Sequence, residues 1–204
     1  MRKVLALIFA LVAWFALVAQ FVLMLQNRTA SVPETVVRFF SFFTILTNLI
    51  VALFYTAQLL NIAKSYKPGI LSAVTVYIFI VGIVYQILLR HIWQPQGLQM
   101  VVDELLHTIN PLLVILYWYL FEKKLLIRYL HTLAWMVYPI MYLIYILVRG
   151  EYSGFYPYPF VNVDEIGISK TLLNSALLTV LFLAASCILV KVGRMIEKKG
   201  LLTA

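Results

Sequence analysis

Six predominantly apolar runs, each about the length of a bilayer-crossing helix, constrain this chain more than any other feature. The first, 4–26, reads VLALIFALVAWFALVAQFVLMLQ and carries no charge. A helix rises about 1.5 Å per residue, so roughly 20 such residues cross a hydrocarbon core of about 30 Å. The other runs are 39–60, 71–90, 102–121, 129–148 and 171–191. They are continuous rather than alternating, which argues against a membrane β-barrel. Composition agrees: 64% of the 204 residues are hydrophobic and 12% are charged. A soluble domain is about a quarter charged, so this chain lacks the polar groups to cover a water-facing surface. The expectation is an all-α, polytopic membrane protein with six transmembrane helices in one domain, 1–204. The first run follows Met-Arg-Lys but exceeds a signal-peptide apolar core, and reads as an uncleaved span. Cys187 is the only cysteine, so no intrachain disulfide forms.

The net charge of +8 reflects flanking residues that orient spans rather than a nucleic-acid surface. An even number of spans puts both termini on one side. That side collects Arg2, Lys3, Lys64, Lys67, Lys123, Lys124, Arg128, Lys191, Arg194, Lys198 and Lys199, eleven of the 16 basic residues. The other side has Arg28, Arg38, Arg90, Arg149 and Lys170. The positive-inside rule then predicts cytoplasmic N and C termini.

Within that topology one window is unusual. RFFSFFTILTNLIVALFY, Arg38–Tyr55, places Ser41, Thr44, Thr47 and Asn48 inside an apolar segment. Spans two and four run parallel, from outside to inside. Thr44 lies about 7–8 Å below the outer interface and His107 about 6 Å, at about 1.5 Å per residue. Hydroxyl and imidazole can meet at that depth, and Asp103, four residues before His107, shares its helical face. The three make a candidate nucleophile, base and orienter. Ordinary explanations exist for most of these groups. Ser and Thr in membrane helices commonly bond a carbonyl one turn earlier, and Asn48 and Asn110 suit helix-to-helix hydrogen bonds. His107 differs, because an ionisable group inside a membrane is a functional candidate by default. His91, Asp103, Glu104 and His107 are the candidate set for a metal, although their spacing matches no motif. GFYPYPF, Gly154–Phe160, holds Tyr156, Tyr158 and Phe160 outside, either as an interfacial aromatic belt or as a lid over an outward-facing pocket.

Three stretches, Arg38–Tyr55, His-Thr-Ile-Asn-Pro at His107–Pro111 and Tyr-Pro-Tyr-Pro-Phe at Tyr156–Phe160, occur in this order in one group. The chain resembles a prokaryotic member of the androgen-induced protein family, which includes the androgen-dependent regulator of tissue factor pathway inhibitor. The resemblance covers nearly the whole chain. It implies six spans and an intramembrane threonine hydrolase acting on fatty acid esters of hydroxy fatty acids. Its nucleophile, a Thr in the second span, corresponds to Thr44, with Ala52 and Phe54 in register downstream. Its His in the fourth span corresponds to His107, followed by Thr108 and Pro111. Pro111 stands one residue closer to the His than in the animal proteins, and Thr47-Asn48 stand where those differ. The reading is therefore a lipid ester hydrolase in a bacterial plasma membrane. Thr44 and His107 are catalytic, and Asp103, Thr47, Asn48 and Asn110 are supporting, with Asn48 and Asn110 the candidate oxyanion donors. The expected partner is a lipid or fatty-acyl ester from the membrane, with no cofactor or metal and no nucleic acid. A non-catalytic lipid-binding or transport protein, and a metal-dependent membrane hydrolase, are the alternatives.

Overall fold

Nearly every apolar run becomes a helix in the computed structural model, which describes residues 1–62 and 67–202, with side chains described to residue 198. Lys64, and the side chain of Lys199, lie outside the described residues. No strand occurs among the described residues. Five helices among them are long and apolar enough to cross a membrane, and six if one bent pair is a single span. The chain is thus an all-helical protein compatible with multi-pass membrane insertion. It separates into two compact units, Met1–Leu126 and Ile127–Ala204.

In the first unit, α1 (Arg2–Gln26) lays the small side chains of Ala6, Ala10, Ala13 and Ala16 against its neighbours. Small residues let helix backbones approach closely, which is how helices associate where no water drives burial. Its main partner is α3 (Phe43–Leu59), which also packs on α4 (Ile70–Val84). α4 in turn packs on α6 (Asn110–Phe121).

A straight second span beginning at Phe39 does not form. A short helix, α2 (Val32–Phe39), precedes α3 and is bent from it by 70°. The sequence Ser31-Val-Pro-Glu34 starts α2: the Ser31 hydroxyl accepts from the Glu34 N–H, and Pro33 fits the first turn. Arg38 lies in its last turn, paired with Glu34 at 2.8 Å. The Ser41 hydroxyl then donates to the Val37 carbonyl at 2.7 Å, and Phe42 turns extended. Thr44 consequently sits in the first turn of α3, beside the break, rather than partway down an uninterrupted helix.

The fourth span is one continuous rod, α5 (Leu98–Glu104), a π-turn (Leu105–Ile109) and α6. The third span likewise ends in a π-turn, Tyr85–Leu89. Such turns commonly mark functional positions.

In the second unit, α7 (His131–Trp135) and α8 (Val137–Ser153) break at Met136. Pro139 has no N–H for the carbonyl one turn back, which accounts for the interruption. α9 (Val163–Ile166) starts at Asn162, whose side chain accepts from the Asp164 N–H. α10 (Ile168–Leu202) is the long helix of this unit, where the Arg194 guanidinium donates to the Ile127 carbonyl at 2.7 and 3.2 Å.

Candidate active site

Thr44 and His107 are 63 residues apart in sequence and meet in the first unit. Thr44 Oγ1 lies 3.2 Å from His107 Nε2. The other ring nitrogen, Nδ1, is 3.0 Å from the Asp103 main-chain carbonyl. A carbonyl oxygen can only accept, so Nδ1 carries the proton. In the neutral ring Nε2 is then the acceptor, and Thr44 donates to it. The tautomer required of a base is set by backbone. The Asp103 carboxylate is also close, with Oδ1 at 3.4 Å from Nδ1. Asp103 therefore acts twice: its carbonyl orients the ring, and its buried carboxylate faces the side where imidazolium charge would develop.

One face of the imidazole is covered by Tyr85, stacked at 4.1 Å between centroids and 16° between planes. Tyr85 belongs to the π-turn that ends the third span. Its ring screens His107, and its hydroxyl lies within electrostatic reach of Asp103. Nothing in the sequence singles out Tyr85 among the chain's 13 tyrosines.

Asn48 is not available as an oxyanion donor in the way expected. Asn48 Nδ2 donates to the Thr44 carbonyl at 2.9 Å and to the Leu106 carbonyl at 3.2 Å. Its two hydrogens are thereby committed. Asn110 Nδ2 donates to Asn48 Oδ1 at 2.8 Å. Thr47 is fully buried three residues beyond Thr44, and Ser41 is engaged with its own helix.

A polar ring, not singled out from sequence, adjoins the pair. Gln86 Nε2 donates to Thr108 Oγ1 at 2.9 Å, and Thr108 donates to Glu104 at 2.7 Å. Arg90 closes the ring by donating to Gln86 at 2.8 Å and to Glu104. These four side chains join the two π-turns at the end where His107 lies. Glu104, part of the proposed metal set, is turned into this ring. Among the described residues no three His, Cys, Asp or Glu side chains gather in a metal-holding group, so His91, Asp103, Glu104 and His107 do not form one.

Tyr156, Tyr158 and Phe160 belong to the second unit, where they are packed. The Tyr156 ring lies over Gly150, at a place where any β-carbon would collide with it. Burial pushes the Tyr156 phenol pKa up, and the negative charges of Asp164 and Glu151 add to the effect. Tyr158 stacks on Phe160 at 5.2 Å, and Asn174 donates to the Phe160 carbonyl at 2.9 Å. Arg149 holds the Phe155 carbonyl at 3.0 Å.

No protein-family model, curated protein sequence or solved structure matches the chain.

Proposed function

We propose that the protein is an intramembrane lipid ester hydrolase with Thr44 as nucleophile and His107 as general base. The observation that carries this reading is the 3.2 Å contact between Thr44 Oγ1 and an Nε2 left unprotonated by the Asp103 carbonyl. A hydroxyl donating to an imidazole that is oriented by a third group is the arrangement of an activated nucleophile. Thr44 Oγ attacks the ester carbonyl carbon while its proton passes to Nε2. The imidazolium so formed faces the Asp103 carboxylate. The tetrahedral intermediate collapses, the C–O bond to the alcohol breaks, and Nε2–H returns the proton to the leaving oxygen. Water, deprotonated by the same nitrogen, then attacks the acyl-threonine; the C–O bond to Thr44 Oγ breaks, Nε2–H returns the proton to Oγ, and the acid leaves. Thr44 occupies the first turn of α3, and the positive end of the helix dipole favours negative charge developing there.

The substrate class is a fatty-acyl ester reaching the site from the bilayer, consistent with the apolar spans. Esters of hydroxy fatty acids are the first to assay, following the family resemblance of the Arg38–Tyr55, His107–Pro111 and Tyr156–Phe160 stretches. The same resemblance and the charge distribution support a bacterial plasma membrane location with cytoplasmic termini.

The test is covalent labelling and turnover in liposomes. A fluorophosphonate probe is expected to label wild type and not Thr44→Ala. His107→Ala should lose about 10²–10⁴-fold in rate, the usual contribution of a positioned base. The double variant should be little slower than either single one, because cooperating groups are strongly non-additive. Full ester hydrolysis by Thr44→Ala would remove the nucleophile and favour a lipid-binding role for the same residues.

A further inference from the structure

We propose that Asn48 is the positioning residue that sets the Thr44–His107 contact, by clamping the backbone beside each partner with one amide group. Its consequence for catalysis depends on the hydrolase reading, but the clamp itself is a matter of geometry.

The π-turn creates the need for it. In this turn the Asn110 N–H reaches back to the Leu105 carbonyl, five residues earlier. In a regular α-helix it would have served Leu106. The next donor that a π-pattern would offer Leu106 is the N–H of residue 111, and residue 111 is proline, which has none. The Leu106 carbonyl is thus left without a helical donor in a place where Leu106 is 2% exposed. Asn48 supplies the donor from the neighbouring helix at 3.2 Å. The second hydrogen of the same amide goes to the Thr44 carbonyl at 2.9 Å. The amide oxygen is held in turn by Asn110 at 2.8 Å. Asn48 and Asn110 are 0% and 1% exposed, so water does not compete for these bonds.

The residues joined are telling. Leu106 immediately precedes His107, Asn110 follows it by three, and Asn48 follows Thr44 by four. A planar NH₂ group fixes the angle and separation of its two acceptors. The helix carrying the nucleophile and the turn carrying the base are therefore locked at one spacing. An ionised aspartate of the same shape would present one oxygen to both carbonyls and donate to neither, and a protonated one could serve only one of them.

The test uses the full-length protein in detergent, with His91→Gln and His131→Asn, so that His107 is the only imidazole. Nitrogen-15 NMR of that ring reports whether Nε2 accepts a hydrogen bond. Thr44→Ala should move the Nε2 resonance, and Asn48→Ala and Asn48→Asp should move it in the same direction with Thr44 and His107 intact. On a short-chain chromogenic ester, kcat should fall on the order of 10²-fold, the effect of a displacement near 1 Å, with KM nearly unchanged. If Asn48→Ala lacks a cooperative thermal transition, Asn110→Ala leaves both Asn48 donors in place. It removes only the bond to the Asn48 oxygen, and it should give a smaller shift of the same sign. A folded Asn48 variant with an unmoved Nε2 resonance overturns the clamp, whatever the enzyme activity. An Asn48-dependent resonance in a wild-type protein that hydrolyses no ester would instead uphold the clamp and defeat the hydrolase reading.

Discussion

Thr44, Ser41 and Thr47 look alike as hydroxyl residues in an apolar helix, and their surroundings separate them. Ser41 donates to Val37 one turn back, the ordinary fate of such a side chain. Thr44 faces an imidazole from another helix. Ser41→Ala is therefore expected to cost only about 0.5–1.5 kcal/mol of stability, the net value of one hydrogen bond, and to leave ester hydrolysis within about twofold; a collapse of activity in a stably folded Ser41→Ala would contradict this division of roles. Asp103→Asn is a finer probe. It keeps the main-chain carbonyl that holds Nδ1 at 3.0 Å and removes only the charge 3.4 Å away. The variant should still be labelled by the fluorophosphonate probe, at a reduced rate. Complete loss of labelling would mean that the carboxylate, not the carbonyl, fixes the ring.

At the level of elements, the site depends on two interruptions and one close approach. The break between α2 and α3 puts Thr44 at a helix start, and the π-turn aims His107 towards it. The close approach is made at Gly82 of α4. A β-carbon there would stand 3.1 Å from the His107 carbonyl oxygen and 3.3 Å from Pro111 Cγ. Neither neighbour is the free end of a flexible chain. Gly82→Ala should destabilise by roughly 1–3 kcal/mol through overpacking, partly offset by up to about 1 kcal/mol of helix propensity. Because the first group displaced is the carbonyl of His107 itself, hydrolysis should slow as well. Thermal unfolding and steady-state rates of the purified variant check both effects. An unchanged midpoint together with an unchanged rate would show that the π-turn shifts freely.

For the whole molecule, charge is the guide to orientation. The eleven basic residues assigned to the terminal side predict that the loop after α8 faces away from the cytoplasm. A cysteine placed at the exposed Ser153, with Cys187 replaced by serine, should react with an impermeant maleimide added to intact cells. Modification only after the cytoplasmic side is opened would invert the topology, and with it the direction from which substrate arrives.

Periodicity and composition alone indicated a helical, membrane-spanning chain, because an apolar run about 20 residues long has few other ways to satisfy its backbone in lipid. Span limits came out within a few residues for the first, third and fourth helices, whereas the fifth and sixth spans run beyond the expected 148 and 191, to Ser153 and Leu202. The second span differs too, because Ser31-Val-Pro-Glu34 starts a separate short helix, α2, ahead of it. Thr44 and His107 were legible as candidates because polar groups inside apolar runs are conspicuous. Their separation of 3.2 Å was not. It arises from contacts between residues about 60 positions apart, which no local pattern encodes. Pro111 was visible, yet its effect requires knowing that Asn48 stands ready to serve the carbonyl it leaves bare. Likewise Tyr85, Gln86 and Arg90 look like ordinary members of a span until packing brings the third span against the fourth. Sequence selects which groups are expensive to bury; tertiary packing decides which partner each one finds.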